Sequence, residues 1–188
     1  MKTLIHTLKY FTRLDSPVTQ VSADELAYLA RYAHDARTLV EVGTFEGATT
    51  RALAESTSGH VYSMDVFFAG RSGICYPEVI ARHHCRKYKN VTILKGASAD
   101  VGRTFAQPVD FLFVDADHSY EGVKRDWSVW FPKVKVNGII ALHDCKYTDR
   151  MPQHHGSWDF YEKEIRAMMN IEEIASVESL VVLRKTAD

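Results

Sequence analysis

Cysteine is scarce in this chain, and its placement excludes two frameworks. Only Cys75, Cys85 and Cys145 occur in 188 residues. An odd, sparse set argues against a secreted disulfide scaffold, and without a Cys-x-x-Cys pair there is no sign of a structural zinc site. Long apolar runs are missing too. None approaches the ~20 residues that cross a bilayer, and His6 and Lys9 interrupt the N-terminal stretch, so neither a membrane span nor a signal-peptide core is expected. Charge of one sign is also lacking. With 23 Lys and Arg against 24 Asp and Glu, the net charge is −1, which gives no support for a nucleic-acid groove. Lys2, Lys9 and Arg13 make a short basic segment that reads as a solvated helix face. These absences point to a reducing, cytoplasmic setting. What is present is apolar residue, 46% of the chain, enough for the core of one domain.

Apolar runs alternate with helical patterns and no repeat interrupts them. Ser22-Ala23-Asp24-Glu25 has capping-box spacing, so a helix should start near Ser22 and carry Leu26, Leu29, Ala30 and Ala33 on one face. Strands are expected over 38–42, 60–64, 91–94, 110–114 and 139–142, the last after an Asn137-Gly138 turn. Helices are expected over about 47–55, 77–88, 120–131 and 158–169. Two more strands, 171–175 and 180–183, are close enough to pair antiparallel. Continuous apolar strands between helices predict a Rossmann-like α/β fold: a doubly wound, seven-stranded, mostly parallel sheet with an antiparallel C-terminal hairpin. Residues 1–37 would form a helical cap and 38–188 the core of one domain.

In such sheets ligands bind beyond the carboxyl ends of the strands, a rule that selects four places. At Glu41-Val42-Gly43-Thr44-Phe45-Glu46-Gly47 a strand meets a glycine turn and then a helix, whose free N–H groups favour an anion. The dinucleotide pattern Gly-x-Gly-x-x-Gly is broken by Phe45. Asp65 follows the second strand, about twenty residues on, where an acid takes ribose hydroxyls. Asp115-Ala116-Asp117-His118-Ser119 ends the fourth strand, with Asp117 or Ser119 available to cap the next helix. His143-Asp144-Cys145 ends the fifth. Asp115 and Asp144 could converge on a hard divalent cation, bind an ammonium group or share a proton.

Taken in order, the glycine turn, Asp65, Val114-Asp115-Ala116-Asp117-His118-Ser119-Tyr120-Glu121-Gly122-Val123-Lys124-Arg125-Asp126 and Gly138-Ile139-Ile140-Ala141-Leu142-His143-Asp144-Cys145 resemble the class I S-adenosylmethionine (SAM) dependent methyltransferases. The likeness runs over about residues 38–145 and is nearest to small bacterial members akin to the catechol and caffeoyl-CoA type O-methyltransferases. It implies that Glu41, Gly43, Thr44, Phe45, Gly47 and Thr49 surround the methionine part of SAM, that Asp65 takes the ribose with Val66 beside it, and that Ala97 and Ser98 line the adenine. Asp115 and His118 would stand by the sulfonium. Metal-dependent relatives hold Mg²⁺ on positions matching Asp115 and Asp144, but Cys145 replaces their asparagine and His118 their lysine, and a thiol is a poor ligand for Mg²⁺.

The resemblance therefore implies methyl transfer to a small-molecule acceptor, at a hydroxyl oxygen. His118 is the first candidate for the base, with Asp115 and Asp144 as its catalytic partners or as metal ligands. His143 reads as a hydrogen-bonded strand-end residue, and His83-His84-Cys85 as surface. The loop 146–157, with His154 and His155, and the segment 67–76 would wall the acceptor pocket. A homodimer is expected by family analogy only. A nicotinamide oxidoreductase or a non-catalytic SAM-binding protein would share the sheet.

Overall fold

The computed structural model describes residues 2–70, 73–148 and 155–188. His154, and parts of both expected acceptor walls, lie outside them. The elements run α1 (Lys2–Phe11), α2 (Ala23–Ala33), β1 (Thr38–Val42), α3 (Ala48–Ser56), β2 (His60–Asp65), α4 (Tyr76–Cys85), β3 (Val91–Lys95), α5 (Ser98–Thr104), β4 (Val109–Val114), α6 (Tyr120–Trp130), β5 (Val134–Leu142), α7 (Gly156–Phe160), β6 (Ile171–Val177) and β7 (Leu180–Lys185). A single turn of 3-10 helix joins α6 to β5, and a π-helical turn, Tyr161–Ile165, extends α7.

The strands form one sheet in the order β3-β2-β1-β4-β5-β7-β6, parallel except where β7 pairs with β5 and β6. This is the expected seven-stranded fold. Alternation along the strands sends Val40, Val42, Leu112 and Val114 to the face packed by α6 and α7 through Val123, Trp127, Trp130 and Phe160. Leu39, Phe111 and Phe113 meet Leu29, Ala33 and Leu53 of α2 and α3 on the other. A strand buried on both faces has no polar side to show, hence the unbroken apolar runs. The Ser22–Glu25 capping box forms as expected.

Three expectations are corrected. The Asn137-Gly138 signal does not precede β5 but lies inside it. Asn137 has a left-handed φ of +66°, and β5 advances from Val134 to Ile139 while β4 advances from Val109 to Phe111. The pairing resumes beyond the irregularity because the flanking residues are buried against β4. The helix expected to reach Met169 ends at Ile165, and Met169 is fully exposed. Cys85 is buried, not a surface residue: its Sγ lies 3.6 Å from the Gly47 carbonyl oxygen. His83 and His84 contact Tyr10 of α1.

Among the described residues no helix is long and apolar enough to cross a membrane. The strand order reverses between β1 and β4, and at that switch point the crossovers leave on opposite faces and open a crevice.

Candidate active site

The crevice is a cleft of about 550 Å³. It brings together Gly43, Thr44, Phe45, Thr49, Asp65, Val66, Ala97, Ser98, Asp115 and His118 from four strand ends. The segment between α1 and α2 contributes Val18, Thr19 and Gln20, and α6 contributes Arg125 and Asp126. Three expected site residues are not on its wall. Glu41 is wholly buried behind the turn, Asp144 is buried beneath His118, and Gly47 faces α4.

The turn at the end of β1 depends on Gly43. Its φ is +107°, and a Cβ there would fall 1.9 Å from the Asp115 carbonyl oxygen. Only glycine lets the ends of β1 and β4 approach this closely. Gly47, at φ +81°, starts α3, and a Cβ there would meet Ala81 and Cys85 of α4. No side chain caps α3, so its first N–H groups remain available to an anion.

Behind the turn a chain of hydroxyls links Glu41 to the cleft. Thr50 donates to Glu41 Oε2 at 2.5 Å, Ser63 Oγ lies 3.1 Å from the Thr50 hydroxyl, and Thr44 Oγ1 lies 2.6 Å from Ser63 Oγ. Glu41 Oε1 has no hydrogen-bond partner among the described residues. Burial raises the Glu41 carboxyl to about 8. Asp65 is firmly set: Oδ2 accepts from the Phe45 N–H and Oδ1 from the Phe67 N–H, each at 2.9 Å. A carboxylate offers about four lone-pair sites, so both oxygens retain accepting capacity.

Beyond β4 and β5 lies a network of buried charge. His143 is buried, with Nε2 3.2 Å from Glu25 Oε2. Its Nδ1 sits 3.1 Å from Asp115 Oδ1 and 3.0 Å from Asp144 Oδ1, an ionic contact off the N–H axis rather than an aligned hydrogen bond. Burial disfavours its charge, but the three carboxylates outweigh burial and hold the imidazole protonated, its pKa raised to about 12. Glu25 Oε1 accepts from the Ser179 N–H at 3.1 Å and hydroxyl at 2.8 Å, and Oε2 from the Ser22 N–H at 2.9 Å. Burial alone would raise the Glu25 carboxyl, yet the charged His143 above all, with Ser22 and Ser179, brings it down to about 2. On the cleft side, His118 Nδ1 lies 2.9 Å from Asp144 Oδ2, and the Asp144 carboxylate raises the His118 pKa above its ordinary value. Ser119, not Asp117, caps α6, accepting from the Gly122 N–H at 3.0 Å. Asp117 pairs with Arg125 at 3.3 Å.

Two features escaped the sequence reading. Glu46 is buried and accepts from the Val18 N–H at 2.6 Å, with His6 Nε2 2.9 Å away, which ties α1 and the segment after it to the glycine turn. Asp126 is buried in the wall of the cleft although its helix reads as ordinarily amphipathic.

A family model described as a methyltransferase domain matches residues 40–145. An uncharacterized protein of Acanthamoeba polyphaga mimivirus is 26% identical over 133 residues, 65% of this chain. The aligned stretch spans 58% of that protein, and only 7% of an uncharacterized Sinorhizobium fredii protein matched at 33% identity over 64 residues. Among solved structures, the cofactor-bound Rv0187 from MTB superposes with a TM-score of 0.73 at 18% identity, covering 100% of this chain and 91% of that one. An O-methyltransferase from Bacillus cereus in complex with SAH gives 0.66 at 21% identity, covering 98% and 91%. These likenesses bear out the Rossmann-like fold, and the model match, which covers over half the chain, favours neither the oxidoreductase nor the non-catalytic alternative. The chain belongs to the methyltransferase-domain family.

Proposed function

We propose that this protein is a SAM-dependent methyltransferase acting on a hydroxyl of a small molecule. One observation carries the reading: the switch-point cleft joins an uncapped helix start, a ribose-type acid, the 97–98 turn and His118, backed by the buried Asp144, in a single cavity. The likeness to an O-methyltransferase described in complex with SAH supports the oxygen as acceptor.

The residues fit the cofactor. The Cβ-free side of Gly43 keeps the turn close to Asp115. The Asp115 carboxylate on the cleft wall is an acceptor suited to an ammonium group, and the α3 N–H groups suit a carboxylate. Asp65 would accept from the ribose hydroxyls, and Ala97 and Ser98 would flank the base. When bound, SAM supplies a methyl group activated by its positive sulfonium. Residues 1–37 act as the cap on the 38–188 core, with Val18 to Gln20 excluding water from the cleft.

The acceptor must lose its proton. Asp144 holds the Nδ1–H of His118, which leaves Nε2 as the free base. Positioning the acceptor beside it converts an encounter into an intramolecular step, an effect that can supply ~7–11 kcal/mol of a barrier.

The donor set does not fit a resident Mg²⁺. One ligand atom from each of Asp115, His118 and Asp144 lies within 4.8 Å of the others. However, Asp144 already faces His118 through Oδ2 and His143 through Oδ1, and the His143 imidazolium already balances the carboxylate pair. Cys145 is buried, its thiol raised by burial and turned toward the carbonyls of His143 and Ser157. We therefore read the reaction as metal-independent.

Incubation with methyl-labelled SAM and a panel of hydroxylated compounds tests this function. Label transfer that survives a chelator and is lost in His118→Ala is expected. SAH binding without transfer to any panel member would reduce the chain to a SAM-binding protein.

A further inference from the structure

Asp126 has no part in the mechanism above, yet it is 4% exposed and lines the cleft beside Ser98. Buried carboxyl groups are retained only where partners satisfy them. Ser98 Oγ already accepts from Trp130 Nε1 at 2.7 Å, so its own O–H is free to turn toward Asp126. That fixes one edge of the carboxyl from within the protein. Its neighbour Ser98 follows β3, so the carboxyl belongs to the β3 side of the cleft, with β2 and its Asp65 between it and the glycine turn on β1.

We propose that Asp126 is the residue that selects adenine, its carboxylate accepting from the exocyclic 6-amino group. The inference rests on the SAM reading of the cleft and adds to it the residue that tells a 6-amino from a 6-oxo purine. Burial raises the carboxyl to about 6, so above neutral pH it is an acceptor with no proton to offer. A 6-oxo purine would bring a second acceptor against it, and sites built to pair a polar group discriminate strongly against its absence. Arg125, the neighbouring cation on α6, is directed at Asp117 and leaves Asp126 to the cleft.

Calorimetric titration at pH 8 with S-adenosylhomocysteine and S-inosylhomocysteine tests the proposal. Wild type should bind the adenosyl compound at least about tenfold more tightly, the effect of one charge-assisted hydrogen bond. Asp126→Asn presents an amide that can donate to a 6-oxo group, so the preference should shrink about tenfold or invert. A purely structural role would weaken both ligands alike, and an unchanged ratio in Asp126→Asn overturns the proposal. Equal binding of both compounds by wild type overturns it without recourse to any variant, should Asp126→Asn fail to fold. Failure of wild type to bind either compound overturns the SAM reading itself, which separates that failure from the narrower one.

Discussion

Replacing Glu25 by glutamine probes the buried network beneath the site, and its effect can be worked from the contacts. The carboxylate of Glu25 accepts from the Ser22 N–H, the Ser179 N–H and the Ser179 hydroxyl, and faces the His143 imidazolium at 3.2 Å. A glutamine oxygen can keep Ser179. Its amide then meets two donors, Ser22 N–H and His143 Nε2–H, where there had been an acceptor. Removing one partner of a buried ion pair costs about 3–5 kcal/mol. Asp115 and Asp144 still balance His143, so the low end, about 3 kcal/mol, applies. In a chain of this size that lowers Tm by about 6–12 °C. The effect should depend on pH. Glu25 is depressed to about 2 from an ordinary 4.5, so its contribution is complete above pH 4.5 and is lost as pH falls toward 2. The gap between wild type and Glu25→Gln should therefore narrow in acid. Urea or thermal melts at pH 7 and pH 3 measure both effects. A difference below about 1 kcal/mol at neutral pH, or one that does not shrink in acid, would refute the assignment of Glu25 as partner of a charged His143.

Gly43→Ala should destabilise the fold by at least about 2 kcal/mol and abolish cofactor binding, since its Cβ would overlap the Asp115 carbonyl; a stable variant with unchanged affinity would show that the strand ends are not so close. Asp65→Ala should weaken SAH binding about tenfold or more, through loss of charge-assisted bonds to the ribose, and unchanged calorimetric affinity would remove that assignment. Methyl transfer should rise with pH through the His118 ionisation, which Asp144 places above the ordinary histidine value. In Asp144→Asn that inflection should move down in pH, and a pH profile identical to wild type would exclude His118 as the base. Cys75, Cys85 and Cys145 are all buried, so native protein should react slowly with a thiol reagent and denatured protein should titrate all three at once.

The central strands β1 and β4 were legible because they are buried on both faces, so apolarity itself marks them. The capping box at Ser22 was legible because its two hydrogen bonds join residues three apart. Helix α5 was not foreseen. It is one of the shortest helices and carries Gly102 within it, where a Cβ would come within 2.4 Å of Val129. Close packing against α6, not local propensity, makes that helix. Of the site, Gly43, Asp65, Asp115 and His118 could be read from the rule that strand ends hold ligands. The partnership of His143 with Glu25 could not, because 118 residues separate them and only the sheet and α2 bring them together. Asp126 was hidden for a related reason. A polar residue on an amphipathic helix ordinarily faces water, and here the cleft occupies that side.

The central claim is that the cleft between β1 and β4 binds SAM. Titration of S-adenosylhomocysteine into the wild-type protein, followed by calorimetry, tests it most directly. A single site of micromolar affinity, about −8 kcal/mol, weakened by Asp65→Ala, is the expected result. Absence of binding at millimolar ligand, with heat instead on adding NADH, would contradict it.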